Sequence, residues 1–402
     1  MPNRLGRRFV VLTSASLLAL AGLVGCSNEP EPVAPPAPEA SATPAPTPTP
    51  SPTPNGPETT RVIAMGDMLP HASVLTLAQV SGGHDFGQFF APIQQQLDDA
   101  DVTFCNQEVP SAGEEFGLSG YPVFNAPTQL TKDLVDPVGC DLVNTATNHA
   151  ADKGIAGIAA TRNAWDALAP TIVAGTNRNA EEQRTVPIFE ADGVKIALVS
   201  FAEFSNLSID PVSLNFIGDT ALVNDLMTQA REKADVVVVS AHWGTEDSHR
   251  VSAQQRVFAQ TLTDLGADVI IGTGPHVLQP VEWLTRADGG HTLVWYSIGN
   301  MMHTQLSLAQ RTGVLAGFDL VRETAGGQVR VENPTAIFTY THYDWTAADE
   351  AAGNIAARTN LSINLLADSD ELLARTRFGV TAAQQIAAST EILGSDVTIL
   401  ER

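Results

Sequence analysis

The stretch Val236-Val237-Val238-Val239-Ser240-Ala241-His242-Trp243-Gly244 reads as a strand buried on both faces that ends in an imidazole. Four consecutive β-branched residues leave no polar face, so other layers must cover both sides, as in the parallel sheets of α/β proteins. An imidazole at such a place needs a ligand or a core hydrogen bond. The same design, an apolar run closing on a short polar motif, recurs at Gly66-Asp67, Asn106-Gln107-Glu108, Thr147-Asn148-His149 and Gly274-Pro275-His276. In α/β sheets ligands bind beyond the carboxyl ends of the strands, where loops converge on a fixed frame. Taken singly, each motif has an ordinary explanation: a turn cap for Asp67, a surface acid for Glu108, a satisfied core histidine for His242 or His276. Taken together, they supply the carboxylates and imidazoles of a hydrolytic metal site, suited to Zn, Mn or Fe rather than Ca.

The rest of the chain alternates in the same way. Short apolar runs at 61–65, 102–105, 142–144, 195–201, 236–240, 269–271 and 293–296 predict strands. Most are separated by stretches of helical period, predicting helices over 89–100, 154–169, 219–233 and 253–265, the last closed by Gly266. After Gly313 the pattern is strand-rich, at 314–321, 328–331 and 336–340, with a terminal helix expected over 382–393. The folded part, from about Thr60, is long enough for one domain or two; one is favoured because the candidate ligands, spread from Asp67 to His276, must meet. Residues 60–345 are read as that domain and 346–402 as its C-terminal extension.

The first residues point to export. Arg4, Arg7 and Arg8 precede a mostly apolar segment over 9–24, too short for a confident membrane span, and the segment closes on Leu23-Val24-Gly25-Cys26. This predicts a signal peptide over 1–25 and resembles a bacterial lipobox, which implies lipidation of Cys26 and a membrane-anchored, extracytoplasmic protein of the cell envelope. Residues 30–57 hold 12 of the 25 prolines, a composition that cannot bury a core and predicts a disordered stalk over 26–59. Cys105 and Cys140 remain; an exported pair can form a disulfide, and two buried thiols suit their apolar settings equally well. With 22 basic and 45 acidic side chains, a formal charge of −23, the chain is not a nucleic-acid binder.

In order along the chain, Gly66-Asp67-Met68, Asn106-Gln107-Glu108, the run from Thr147 through Asn148-His149 to Gly154, Ala241-His242-Trp243-Gly244, Gly274-Pro275-His276 and Tyr296-Ser297-Ile298-Gly299-Asn300 resemble the CapA-type family of poly-γ-glutamate (capsule) synthesis proteins, in the calcineurin-like metallophosphoesterase superfamily. The resemblance implies a four-layer α-β-β-α metallophosphatase-like sandwich with one or two divalent metal ions, Mn, Fe or Zn. By that resemblance Asp67, Glu108, Asn148, His242 and His276 would hold metal and His149 would be catalytic, while Asn106, Glu282 and Asn300 would lie around the metal or substrate. It also implies an anionic cell-envelope polymer or a small phosphoester as substrate, and the capsule synthesis machinery as a partner. Gly274 stands where the family pattern usually has a first histidine, which puts the second metal in doubt; His71, His249 and His303 are the imidazoles available to replace it. A non-catalytic, polymer-binding accessory protein fits that departure, whereas a solute-binding lipoprotein leaves the strand-end ligands unexplained.

Overall fold

The computed structural model describes residues 57–402; the signal segment, Cys26 and most of the proline-rich stretch lie outside them. Among the described residues the first sheet has the order β16 (Thr359–Leu365), β15 (Val329–Asp344), β14 (Thr312–Arg322), β1 (Glu58–Met68), β4 (Val102–Gln107), β5 (Leu142–Asn144) and β6 (Ile172–Ala174). Two short strands join it from the side, β13 (Asn300–Met302) on β1 and β17 (Thr398–Leu400) on β15. The second sheet runs β11 (Val281–Thr285), β12 (His291–Trp295), β10 (Val269–Thr273), β9 (Val236–His242), β8 (Val194–Ala202) and β7 (Ile188–Ala191). A small hairpin, β2 (Gln79–Val80) with β3 (Gly83–His84), stands apart.

The valine run shows how the layers form. Successive strand residues face opposite sides, so Val236 and Val238 enter a core shared with Val62, Ala64, Val102 and Phe104 of the first sheet. Val237 and Val239 face the other way, against Leu226 and Met227 of the helix Thr220–Lys233 and Leu262 of the helix Ala253–Asp264. The outer face of the first sheet is covered by Phe86, Phe90, Leu130, Leu134 and Trp165. Two sheets thus share one core, and helices close both outer sides. Leu366, Leu373 and Leu393 join the shared core, so the residues after 345 help to seal it.

The helix starts follow the local chemistry. Asp219 accepts from the Leu222 amide at 3.0 Å, and Ser252–Gln255 and Thr381–Gln384 form capping boxes. Two expectations are corrected. The predicted helix over 89–100 is a 3₁₀ segment, Gly87–Ile93, followed by a short helix, Gln94–Asp98, because Pro92 lacks the amide that a continuous α-helix needs. The two strands expected at 328–331 and 336–340 are one, β15; Asn333, at φ +50°, sits where the register to β14 shifts, and the strand continues beyond it. Cys105 and Cys140 form a disulfide that ties β4 to the segment before β5.

What matters for function is where the strands end. β1 and β4 run parallel, pairing Asp67 with Asn106, and β4 and β5 pair Asn106 with Asn144. β13 places Asn300 beside Asp67, while β9 and β10 pair His242 with Thr273. Both sheets therefore deliver polar side chains to one place.

Candidate metal centre

Asp67, Glu108 and His276 form the tightest group, each offering a ligand atom within 4.8 Å of the others, and all three are buried. Asp67 is braced from both sides. Asn106 donates through Nδ2 to Asp67 Oδ1 at 2.6 Å and accepts at Oδ1 from Asn144 Nδ2 at 2.5 Å, so an amide relay across three strands fixes the carboxylate. Asp67 Oδ2 lies 2.9 Å from His276 Nδ1, which also lies 3.0 Å from Asn300 Oδ1. Asn300 is turned toward the ring because its Nδ2 donates to Gln305 Oε1 at 2.7 Å. His276 sits at φ +62°, a conformation that turns the chain sharply after β10.

Glu108 is different in kind. It is 0% exposed, yet neither of its oxygens has a hydrogen-bond partner. Its Oε1 lies 3.7 Å from His276 Nε2 and 4.0 Å from His242 Nε2. Burial pushes the Glu108 carboxyl well above its ordinary range, and Asp67 adds to this while His276 opposes it. Burial disfavours charge on His276, but the neighbouring Glu108 and Asp67 carboxyls outweigh it and hold the imidazole up to about 10. Without metal, the flanking carboxyls thus favour the protonated imidazole of His276, while burial favours the neutral form of Glu108. His242 is the opposite case: burial takes it down to about 4, leaving a neutral ring between Thr273 Oγ1, 3.0 Å from Nδ1, and Asn148 Oδ1, 3.0 Å from Nε2.

Beside the cluster, His149 Nδ1 lies 2.8 Å from Asp152 Oδ2, which also accepts the Phe124 amide at 2.7 Å. Phe124 packs edge-on against the His149 ring at 4.7 Å, and Asn206 Nδ2 lies 3.3 Å from Nε2. The ring is thus held in rotation and tautomer, with Nε2 on the side away from the carboxylate.

A donor set of two carboxylates and an imidazole suits a divalent cation, and the unpartnered Glu108 oxygens are the structural observation that a cation would satisfy. Of the other residues expected here, Asn148 and His242 adjoin the trio, and Asn106 and Asn300 orient it. Glu282 is not brought in: on β11 its carboxylate pairs with Arg256 at 3.1 Å on the surface. His249 Nδ1 is held by Leu278 O at 2.7 Å, His303 Nδ1 accepts the Gln305 amide at 2.9 Å and His71 Nδ1 accepts the Thr304 amide at 3.3 Å. None of these three joins the metal-type group found among the described residues. Gly274 adopts φ +105°, and a Cβ there would lie 2.9 Å from Trp243 O and 3.2 Å from His242 Nε2. This backbone conformation suits glycine and leaves little room for a side chain. Asn144, Asp152 and Asn206 were not foreseen; only Asp152 carried a local signal, three residues after His149 within the Asn-His motif.

Residues 61–305 match the family described as bacterial capsule synthesis protein PGA_cap. The chain belongs to this family. Over 271 residues it is 26% identical to the PGA biosynthesis protein CapA of Bacillus subtilis (strain 168), covering 65% of this chain and 68% of that protein. Over 226 residues it is 30% identical to the capsule biosynthesis protein CapA of Bacillus anthracis, and there the alignment spans 54% of each chain, about half of that relative. Similar solved structures include a hypothetical protein from Thermus thermophilus, at 19% identity and TM-score 0.39, covering 69% of this chain and 99% of that one. They also include a 5'-nucleotidase from Candida albicans, at 11% identity and TM-score 0.39, covering 69% and 51%. No helix among the described residues is long and apolar enough to cross a membrane. For this PGA_cap member, the PGA_cap-matched region contains the whole Asp67–Glu108–His276 cluster.

Two predictions come from the cluster. Because the metal-free cluster favours a proton on His276, Mn or Zn binding there is expected to release it; affinity then rises with pH below the His276 value of about 10, by about tenfold per pH unit for each proton released. Calorimetry in buffers of different ionisation enthalpy counts those protons, and zero release would contradict the assignment. Gly274→His would force a side chain onto a left-handed backbone, destabilising the fold by about 1–3 kcal/mol without raising metal stoichiometry, as read by denaturation and elemental analysis.

Proposed function

We propose that this PGA_cap-family chain is a metal-dependent hydrolase of the metallophosphoesterase type, working in the bacterial cell envelope on an anionic capsule-type polymer or a small phosphoester. The observation that carries the reading is Glu108, a buried carboxylate with both oxygens unpartnered, facing Asp67 and His276. A carboxylate so placed is costly without a cation and useful with one. Asp67, Glu108 and His276 would hold the ion, with His242 and Asn148 alongside; a change of tautomer, Nδ1–H donating to Thr273 Oγ1, would free His242 Nε2 for it. A bound Mn, Fe or Zn ion supplies Lewis acidity at the scissile group and acidifies attacking water.

The chain's own residues do the rest. Asp152 accepts from His149 Nδ1–H, so that the imidazolium form of His149 could give its Nε2 proton to the leaving oxygen and return to the neutral ring. Asn106 and Asn144 keep Asp67 from rotating out of the cluster. The formal charge of −23 would repel a polyanion elsewhere on the surface, which leaves the cation as a natural point of attraction. In this reading Cys26 is lipidated and the stalk over 26–59 tethers residues 60–345 and their extension, 346–402, to the membrane, in contact with the capsule synthesis machinery. The Cys105–Cys140 disulfide agrees with an oxidising compartment outside the cytoplasm.

A second reading is favoured by Gly274: an accessory protein that binds the polymer without cleaving it, its centre reduced to one ion or none. One experiment separates the two. Protein loaded with Mn or Zn is offered bis(p-nitrophenyl) phosphate and γ-linked polyglutamate. The hydrolase reading expects turnover, with His149→Ala lowering kcat by about 10²–10⁴ while metal content stays unchanged. If fully loaded protein turns over neither compound, the hydrolase reading fails and the accessory reading stands.

A further inference from the structure

In a chain so acidic, two buried arginines lack an acidic partner. Arg311 and Arg358 form no ion pair with a carboxylate among the described residues, and they are 5% and 7% exposed. Both are held by aromatic rings. The Arg311 guanidinium lies 4.1 Å from the Tyr343 ring centroid, and Arg358 lies 5.0 Å from the same ring and 4.3 Å from that of Trp345. The rings and two guanidiniums form a ladder, Arg311–Tyr343–Arg358–Trp345, that keeps the forks rigid at little further loss of side-chain freedom. Backbone carbonyls take some donors: Arg311 Nε donates to Thr341 O at 2.9 Å and Arg358 Nη1 to Thr304 O at 3.0 Å. Arg358 Nε is buried with no partner.

All four residues line a cavity of about 930 Å³, and two further arginines, Arg375 and Arg377, stand there already paired with Asp344 and Glu350. A second cavity, of about 410 Å³, shares Leu306, Ile355 and Arg358 with it and is also lined by His71 and Gln305. Gln305 is the residue that orients Asn300 toward His276, and its carbonyl accepts from Tyr343 Oη at 2.8 Å. The arginine ladder and the candidate metal centre are therefore joined through one loop, 303–305. Arg311, Tyr343, Trp345 and Arg358 all lie beyond residue 305, where the family match ends.

We propose that this cavity is a substrate subsite in which Arg358 and Arg311 seat an oxyanion group of the molecule whose reacting bond lies at the centre. Planar guanidinium forks on a rigid aromatic stack suit carboxylate and phosphate alike. The carboxylates of a γ-linked glutamyl polymer and the phosphate of a phosphoester are the two sources with that chemistry. Exposed Leu306 and Ile355 at the shared rim give an apolar edge for the methylene groups between charges. The subsite rests on the hydrolase or accessory reading for its substrate class but not for its own test.

Binding is measured with metal-free protein, so that loss of catalysis does not affect the readout. The probes are γ-linked polyglutamate and, separately, inorganic phosphate with tripolyphosphate, followed by calorimetry and by the fluorescence of the tryptophans. Arg358→Gln is expected to weaken binding by about tenfold or more and Arg358→Lys by less, since lysine keeps charge but not the fork. Ile355→Glu, at a position 49% exposed and so neutral for folding, places a repelling charge on the rim and is expected to weaken binding several-fold. Polymer binding alone, phosphate binding alone, or both, with this dependence on Arg358, supports the subsite and names its source. Failure of the folded wild type to bind either probe, or Kd values unmoved by both Arg358→Gln and Ile355→Glu, overturns it.

Discussion

Two carboxylates, Asp67 and Glu108, are held beside each other where no water reaches them, and the surrounding architecture is arranged around that juxtaposition. Left alone, like charges in a low-dielectric setting repel and resist ionisation. The protein answers with His276 on one side, neutral His242 on the other and an amide relay from Asn144 through Asn106 that pins Asp67. Each of these partners arrives on, or just beyond, a different strand, so the cluster exists only while both sheets keep their register. The shared core of Val62, Val102, Val236 and Val238 is what keeps it.

Strand-end motifs made most of this cluster legible in the sequence, because a buried strand leaves few places for a charged or imidazole side chain except its end. Asp67, Glu108, Asn148, His242 and His276 carry that signature and meet in the fold. Glu282 carried only a motif resemblance; one residue into an edge strand, it faces solvent and Arg256. Asn144 was hidden because its role depends on lateral strand order, which no local pattern encodes. The helix expected at 89–100 erred through Pro92, and the division of β15 erred because a bulge at Asn333 looks like a turn. Gly274 reads as a lost ligand, yet at φ +105° and with Trp243 O and His242 Nε2 so close, any side chain there would be strained.

The segment beyond residue 305 has two roles. β14 and β15 complete the first sheet beside β1, and the arginine–aromatic ladder built from them and from Arg358 stands next to the loop that orients Asn300. If this cluster seats an anion as proposed, the excess of acidic residues elsewhere would make it the more selective, since an anion is repelled from most of the surface. On the proposed reading, metal chemistry, acid catalysis by His149 and recognition of charge would fall to three neighbouring parts of one fold.

The most direct measurement of the centre is anomalous diffraction from crystals equilibrated with Mn or Zn, recorded at the edge of the added metal. A single strong peak bounded by Asp67, Glu108 and His276, with the His242 ring turned toward it, is the predicted result. A featureless map at that position under saturating metal, or an ion held elsewhere while Glu108 stays unpartnered, would contradict the account.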